Sequence, residues 1–196
     1  MKILIAILTL CTIGANAQDI VKLTNGADLN IKIIGNNTET ISFSRGAEGS
    51  LPYFIAKADI EEIQYENGTV EKPDHPTLTV DQAKAKLIND INLYAYDPDD
   101  HKVTATFDGN YLKLTADKGD YKKGMVFDLL KLIRFDETSY RREGFAFINI
   151  WAPIRVDEHK NKWDKYKMVL RVNKHEDAAI LTASIKQLNK VLKANR

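Results

Sequence analysis

The sequence predicts a mainly β, α+β protein in which a small N-terminal β-barrel is followed by a helix, an antiparallel β-meander and a C-terminal helix. Three observations predict this class. Short apolar segments with a period of two recur between turn residues over 19–71, and the same period returns over 102–172. From residue 178 the apolar residues recur at helical spacing instead. Strands and helices are therefore segregated along the chain, as in α+β proteins.

The first 17 residues have the pattern of a cleavable export signal. Lys2 supplies a positive charge before the apolar run Ile3–Ile13, which is shorter than the roughly 20 residues that a membrane-spanning helix needs. Ala15-Asn16-Ala17 places small residues where signal peptidase cleaves. We therefore expect a mature N-terminus at Gln18 and a location in the periplasm, on the cell surface or outside the cell.

Cys11 offers an alternative, because lipoproteins carry their acyl chain on a cysteine at the cleavage site. The residue before it is Leu10, where a lipoprotein signal has a small residue. Cleavage before Gln18 removes the single cysteine of the chain. The mature protein then has no disulfide, thiolate metal site or cysteine nucleophile, and core burial must stabilise it.

Charge is nearly balanced over the chain, with 28 basic and 27 acidic residues. The balance differs between the two parts. Residues 18–73 carry 5 basic and 9 acidic residues, whereas residues 74–196 carry 22 and 18. The second part is too weakly basic for a nucleic-acid-binding protein.

The segment 18–71 predicts five short strands with one apolar face each. The apolar residues that mark them are Ile20 to Leu23, Leu29, Ile31, Ile33, Ile41, Phe43, Tyr53, Ile55, Ile63 and Tyr65. Asn67-Gly68 is typical of a tight hairpin turn. Short strands of this kind predict a curled sheet or small barrel, which hides its edges.

The order of these strands and turns resembles a small module found near the N-terminus of many exported proteins of Gram-negative bacteria. A strand leads to Thr24-Asn25-Gly26, and a later strand ends in the pattern Ile-x-Tyr-x-Asn-Gly over 63–68. Asp19-Ile20-Val21, Ile31-Lys32-Ile33, Ile41-Ser42-Phe43 and Ala58-Asp59-Ile60 complete the pattern. The resemblance implies an SH3-like barrel. It implies no activity and no catalytic residues.

A linker follows at 72–76, where two prolines and no apolar side chain favour extended backbone. The second domain, 77–196, begins with a helix. Thr79 and Gln82 fit a capping box, and Asp97-Pro98-Asp99-Asp100 ends the helix. Its apolar residues are Val80, Ala83, Leu87, Ile88, Ile91 and Tyr94.

The remaining chain predicts a meander of about six strands and one amphipathic helix. The strands are marked by residues 103–107, 112–114, 125–127, 130–135, 145–151 and 166–172. The helix is marked by Ala178, Leu181, Ile185, Leu188 and Leu192, with Asn173 and Glu176 as its expected cap. This order is topologically similar to the pleckstrin-homology-like domains. That likeness implies a bent sheet closed by the C-terminal helix, and many such domains bind peptides or acidic head groups.

Motifs for catalysis, metals or cofactors do not stand out. Asp97, Asp99, Asp100 and His101 form the densest group of metal-type ligands, but the segment departs from a calcium loop and is interpreted as a solvated turn. The four histidines are interpreted as surface residues. No serine stands in a Gly-x-Ser-x-Gly elbow. The sequence therefore predicts no catalytic residue, no metal ligand and no cofactor.

Three residues are the candidate ligand contacts. Arg141 and Arg142 stand in a turn between strands, where their forked donors suit carboxylates or phosphates. Trp163 lies in a charge-rich loop, and exposed tryptophans often anchor partners. The alternatives are an ordinary solvated hairpin for the arginines and, for Trp163, a ring that folds back over the end of the barrel.

A basic stripe runs along the last helix at Lys186, Lys190 and Lys193. Such a stripe suits anionic lipid, or is simply a solvated face near the negative end of the helix dipole. The sequence as a whole predicts an exported, non-enzymatic module that binds a protein, peptide or glycan. The alternatives are a hydrolase of envelope polymers whose site forms only in the fold and, third, a purely structural role in the envelope. An open surface of aromatic residues and arginines favours binding, whereas a cleft with His, Asp and Glu favours the enzyme.

Overall fold

The computed structural model describes residues 18–44 and 50–196, and the expected export signal lies outside them. The predicted fold class is confirmed, because the described chain is mainly β with two helices. Two antiparallel sheets lie on either side of the C-terminal helix. Within the described residues, neither helix combines the length and the apolar character needed to cross a bilayer.

The first sheet has six strands in the order β4-β3-β2-β1-β5-β6. The strands are β1 (Asp19–Leu23), β2 (Asp28–Asn36), β3 (Thr40–Ser44), β4 (Tyr53–Ala56), β5 (Ile60–Gln64) and β6 (Val70–Glu71). The sixth strand, which the sequence pattern missed, is the far arm of the hairpin at Asn67-Gly68. Gly68 takes a φ of +83°, a conformation that glycine adopts without strain. The buried apolar side chains of this sheet form a separate small core of Val21, Ile31, Ile41, Phe43, Ile60 and Ile63.

The second sheet has the order β7-β14-β13-β10-β9-β8, and two short strands add to β13. Its strands are β7 (Ala95–Tyr96), β8 (Val103–Asp108), β9 (Tyr111–Ala116), β10 (Met125–Phe127), β11 (Arg134–Phe135), β12 (Ser139–Tyr140), β13 (Ala146–Asp157) and β14 (Lys162–Val172). Tyr96 of β7 also pairs with Lys102 just before β8. The two edges of the sheet therefore approach each other, and the sheet is barrel-like.

The strand predicted at 130–135 is wrong over most of its length. Only Arg134 and Phe135 are extended. The Asp128 carboxylate accepts hydrogen bonds from the backbone N–H groups of Leu130 and Lys131, at 3.1 and 3.3 Å. A turn held by a side chain in this way competes with strand pairing. The apolar residues of this segment therefore pack against the core from a turn and not from a strand.

Helix α1 spans Val80–Tyr94 and begins with the predicted capping box. The Thr79 side chain accepts from the Gln82 N–H, and the Gln82 side chain accepts from the Thr79 N–H. These two bonds satisfy donors that the first turn leaves free. The helix packs on α2 and β8 and buries Ala83, Leu87 and Ile91.

Helix α2 spans His175–Ala194 and has both sides covered. One stripe joins the core of the second sheet through Ala178, Leu181, Ile185, Leu188 and Leu192. Another face, with Ile180 and Ala183, is buried as well, and α2 contacts β4 and β3 of the first sheet. Lys186, predicted on a solvated or lipid-facing stripe, donates to Asp59 at 2.7 Å. The helix is thus the element on which both sheets pack.

The predicted cap of α2 is wrong. Lys174 occupies the N-cap position, and no side chain caps the helix there. Glu176 instead accepts hydrogen bonds from the side chains of Asn37 and Thr40 in the first sheet, the second at 3.0 Å. The Glu176 carboxylate, which a local cap would use, is therefore bound by residues of the first sheet that are distant in sequence.

Candidate binding surface

The hairpin of β13 and β14 is the longest paired element of the protein. Its register runs from Ala146 opposite Val172 to Asp157 opposite Lys162. Because side chains alternate across a strand, one face of the hairpin enters the core with Ile148, Ile150 and Leu170. The opposite side is here called the outer hairpin face. It carries Phe147, Asn149, Trp151, Pro153 and Arg155 on β13, and Trp163, Lys165, Lys167, Val169 and Arg171 on β14.

Trp151 stands in the middle of this face, with two cations over its ring. It is half-buried, and the Lys165 ammonium lies 4.7 Å from the ring centroid. The Arg134 guanidinium, which reaches the ring from β11, lies 5.1 Å away. Both distances are within the range in which a cation is attracted to the aromatic quadrupole. The ring therefore holds two positive groups in place.

Asp136 fixes the geometry of this cluster. Its carboxylate accepts from Trp151 Nε1 and from Arg134 Nε, each at 2.8 Å. The hydrogen bonds from Trp151 and Arg134 hold the pKa of the Asp136 carboxyl below its ordinary value. The bond to Asp136 uses the Nε of Arg134, so the two terminal nitrogens of the guanidinium lie outside it. Arg134 is thus oriented by Asp136 and still has donors to offer.

Lys165 and Lys167 are exposed and follow one another on the same face of β14. Lys167 stands directly opposite Trp151 in the register. Within the part of the chain that the structure describes, neither ammonium has an acidic partner within ion-pair distance. The cluster of Arg134, Trp151, Lys165 and Lys167 is therefore a positively charged surface around an aromatic centre.

Trp163 is not in a loop, and that prediction is wrong. It lies on β14 opposite Arg155, because the pairing of the two long strands continues almost to the turn at 158–161. Its ring packs on Tyr111, with centroids 4.9 Å apart, and the Arg155 guanidinium lies 5.2 Å from it. Its Nε1 donates to Asn161 at 2.8 Å. At the tip of the hairpin, the Trp163 ring is therefore packed against its neighbours and its indole N–H is hydrogen-bonded.

Arg141 and Arg142 are exposed in the turn between β12 and β13, as predicted from the sequence. The Arg141 guanidinium lies 5.6 Å from the Phe147 ring centroid. The turn precedes Ala146, whereas Trp163 pairs with Arg155 at the other end of the hairpin. At roughly 3.3 Å per residue, about 30 Å separates the two ends. The three predicted residues thus do not form one site, and the cluster around Trp151 lies between them.

His175 is buried, so its interpretation as a surface histidine is wrong. Its Nε2 lies 2.8 Å from the carbonyl oxygen of Arg141 and 3.1 Å from that of Phe145. The ring N–H therefore donates to the turn that carries the arginines. The first residue of α2 in this way fixes the loop at the edge of the outer hairpin face.

The turn at Asp97 is solvated only in part, because Asp99 and Asp100 are exposed as predicted but Asp97 is not. Asp97 is fully buried, and its Oδ1 accepts from the N–H groups of Asp99 and His101. Burial opposes ionisation, but the hydrogen bonds from His101 outweigh it, so the pKa of Asp97 lies below its ordinary value. Gly119 covers the carboxylate so closely that a Cβ there would stand 1.7 Å from Oδ2. Oxygen and nitrogen atoms of Asp97, Asp99 and His101 lie within 4.8 Å of one another, but the buried carboxylate already organises the turn.

A cavity of about 150 Å³ lies between the first sheet, α1 and α2. In its wall, Ser184 donates to Asp90, which also accepts from Lys86 at 2.9 Å. Its carboxylic side chains are Glu39 and Asp74, and its described lining contains no histidine. The combination of His, Asp and Glu that would favour an enzyme is therefore not assembled in this cavity. The network of Ser184, Asp90 and Lys86 joins the two helices.

Comparisons of the chain with family models, curated proteins and solved structures found no match. The outer hairpin face is distinguished by its own contacts. It carries an aromatic centre at Trp151 and, among the described residues, two lysines without an ion-pair partner, Lys165 and Lys167, and Asp136 orients the cluster.

Proposed function

We propose that this chain is an exported, non-enzymatic binding protein whose outer hairpin face holds an anionic protein, peptide or glycan. The observation that carries the proposal is the arrangement around Trp151. Arg134 and Lys165 lie over the ring, and Lys167 stands beside it in the register. Aromatic residues and arginines of this kind contribute strongly to binding energies.

The cluster suits an anionic ligand for a physical reason. Long cationic side chains normally lose rotamer freedom when they bind, which reduces the affinity. Here the ring and Asp136 already restrict Lys165 and Arg134, so less freedom remains to be lost.

Export is supported by the charged, apolar and small-residue segments that precede Gln18. The likeness of residues 19–71 to the SH3-like module of exported bacterial proteins points the same way. In this proposal the first sheet is that module, residues 77–196 are the pleckstrin-homology-like binding domain, and 72–76 links them. Helix α2 contacts both sheets, and these contacts support the hairpin of β13 and β14 on its core side.

Affinity measurements with charge-reversed variants test the proposal. Labelled poly-L-glutamate and polygalacturonate serve as anionic probes. We expect the protein to bind at least one of them, with an affinity that falls as salt rises. The double variant Lys165→Glu, Lys167→Glu should bind at least about tenfold more weakly.

The matched control is Lys190→Glu with Lys193→Glu, which reverses the same number of exposed charges on α2. This control should bind as the unchanged protein does. The proposal fails if neither probe binds, or if the two double variants lose affinity equally.

A further inference from the structure

We infer that the occupant of the outer hairpin face is an extended polypeptide segment with acidic residues at alternate positions. The inference rests on the proposed function and names its ligand. Lys165 and Lys167 are two residues apart on β14, so their side chains leave the same face about 7 Å apart. An extended peptide repeats its side chains on one face at the same distance. Glutamates at i and i+2 therefore reach both ammonium groups together.

Arg134 adds a third contact across the ring. It stands opposite Trp151 on β11, and Lys167 stands opposite Trp151 on β14. Neighbouring strands lie about 4.8 Å apart, so these two cations flank the tryptophan on either side. The terminal nitrogens of Arg134 suit a carboxylate with their forked geometry. A peptide seated over Trp151 thus meets positive charge on both sides of its path.

The polar groups of the cluster favour a carboxylate-bearing peptide over a sugar. Hydroxyl groups of a glycan need acceptors as well as donors, and the exposed groups here are donors. The acceptor beside them, Asp136, takes a bond on each of its oxygens, from Arg134 and from Trp151. Sugars also stack on open aromatic faces, whereas cations lie over the ring of Trp151. An acidic glycan is therefore the competing outcome of the test.

Two series of synthetic peptides in a threonine and serine background distinguish the possibilities. Both carry the same number of glutamates, placed at every second residue in one series and at every third in the other. Spacing by three sends successive carboxylates to opposite faces of an extended chain. We expect the full chain to bind the first series about tenfold more tightly, and Lys165→Ala and Lys167→Ala each to remove that preference. Lys190→Ala should retain it.

Equal affinity for the two series overturns the inference and leaves the proposed function in place, because charge alone then suffices. Binding of polygalacturonate with no binding of either peptide series also overturns it and identifies a glycan. If the protein binds none of these probes, the proposed function fails together with the inference.

Discussion

The indole Nε1 of Trp151 donates a 2.8 Å hydrogen bond to the carboxylate of Asp136. This bond joins the central aromatic residue of β13 to the segment that follows β11. The same carboxylate holds Arg134. One acidic residue therefore sets the positions of the ring and of a cation over it, although its own charge opposes an anionic ligand. Its value to the surface lies in positioning.

The Asp136 contact predicts a defined pH dependence. The folded pKa of Asp136 lies below its ordinary value of 3.8, because Trp151 and Arg134 stabilise the charged form. Its contribution to stability is therefore complete above that value and is lost as pH falls through the lower, folded pKa. We expect the Trp151 indole N–H resonance to titrate below pH 3.8 in NMR spectra. In Asp136→Ala this titration should vanish and the N–H should exchange faster. A midpoint above 3.8 would contradict the assignment.

Leu188 tests the burial of α2. It is fully buried between the helix and the second sheet. Leu188→Ala should lower the free energy of unfolding by about 2–5 kcal/mol, since it removes apolar contacts and leaves a cavity. Lys190→Ala, on the exposed side of the same helix, should change it by less than about 0.5 kcal/mol. Chemical denaturation measures both. A harmless Leu188→Ala would mean that the helix is not part of the core.

Two hydroxyl groups on α2 should respond in opposite directions. Ser184 donates to the buried carboxylate of Asp90, so Ser184→Ala should cost about 1.5–3 kcal/mol. The buried Thr182 hydroxyl oxygen has no hydrogen-bond partner among the described residues. Thr182→Val should therefore raise the free energy of unfolding by up to about 1 kcal/mol. The same denaturation experiment compares them, and a loss for Thr182→Val would show that the hydroxyl has a partner.

The proposed export predicts where the mature chain begins. Intact-mass measurement of the protein from its native envelope should give a chain beginning at Gln18 with no lipid. Ala15-Asn16-Ala17 and the Leu10 that precedes Cys11 are the reasons for this expectation. A chain that begins at an acylated Cys11 would contradict this prediction and would identify the protein as a lipoprotein.

Much of the fold follows from local sequence signals. The Thr79–Gln82 capping box and the Asn67-Gly68 turn have their geometry within a few residues, and the structure has both. The stripe of Leu181, Ile185 and Leu188 is buried as its spacing predicts. Local sequence signals give a wrong prediction where a polar side chain binds a residue that is distant in sequence. Glu176 does not cap α2, because Asn37 and Thr40 use its carboxylate.

The candidate surface is harder to predict, because it too depends on contacts between residues that are distant in sequence. Trp151 lies in a segment read correctly as a strand, but its importance depends on Arg134 and Lys165, which reach it only through strand pairing. The alternation of Lys165 and Lys167 was the available signal, since it marks one face of a strand. The sequence pattern predicts a strand only from Tyr166, whereas β14 begins at Lys162. Lys165 therefore lies outside the predicted strand, and its place beside Lys167 on one strand face does not follow from the pattern.

The chain contains two tryptophans, so single-tryptophan variants test the central claim most directly. Trp163→Phe leaves Trp151 as the only indole, and Trp151→Phe leaves Trp163. Each protein is titrated with the alternating glutamate peptide while tryptophan fluorescence is recorded. We predict a saturable change in the Trp163→Phe protein, because the peptide covers Trp151, and a weak or absent change in the other. A response confined to the Trp151→Phe protein would contradict the account, since the ligand would then lie at the hairpin tip and not over Trp151.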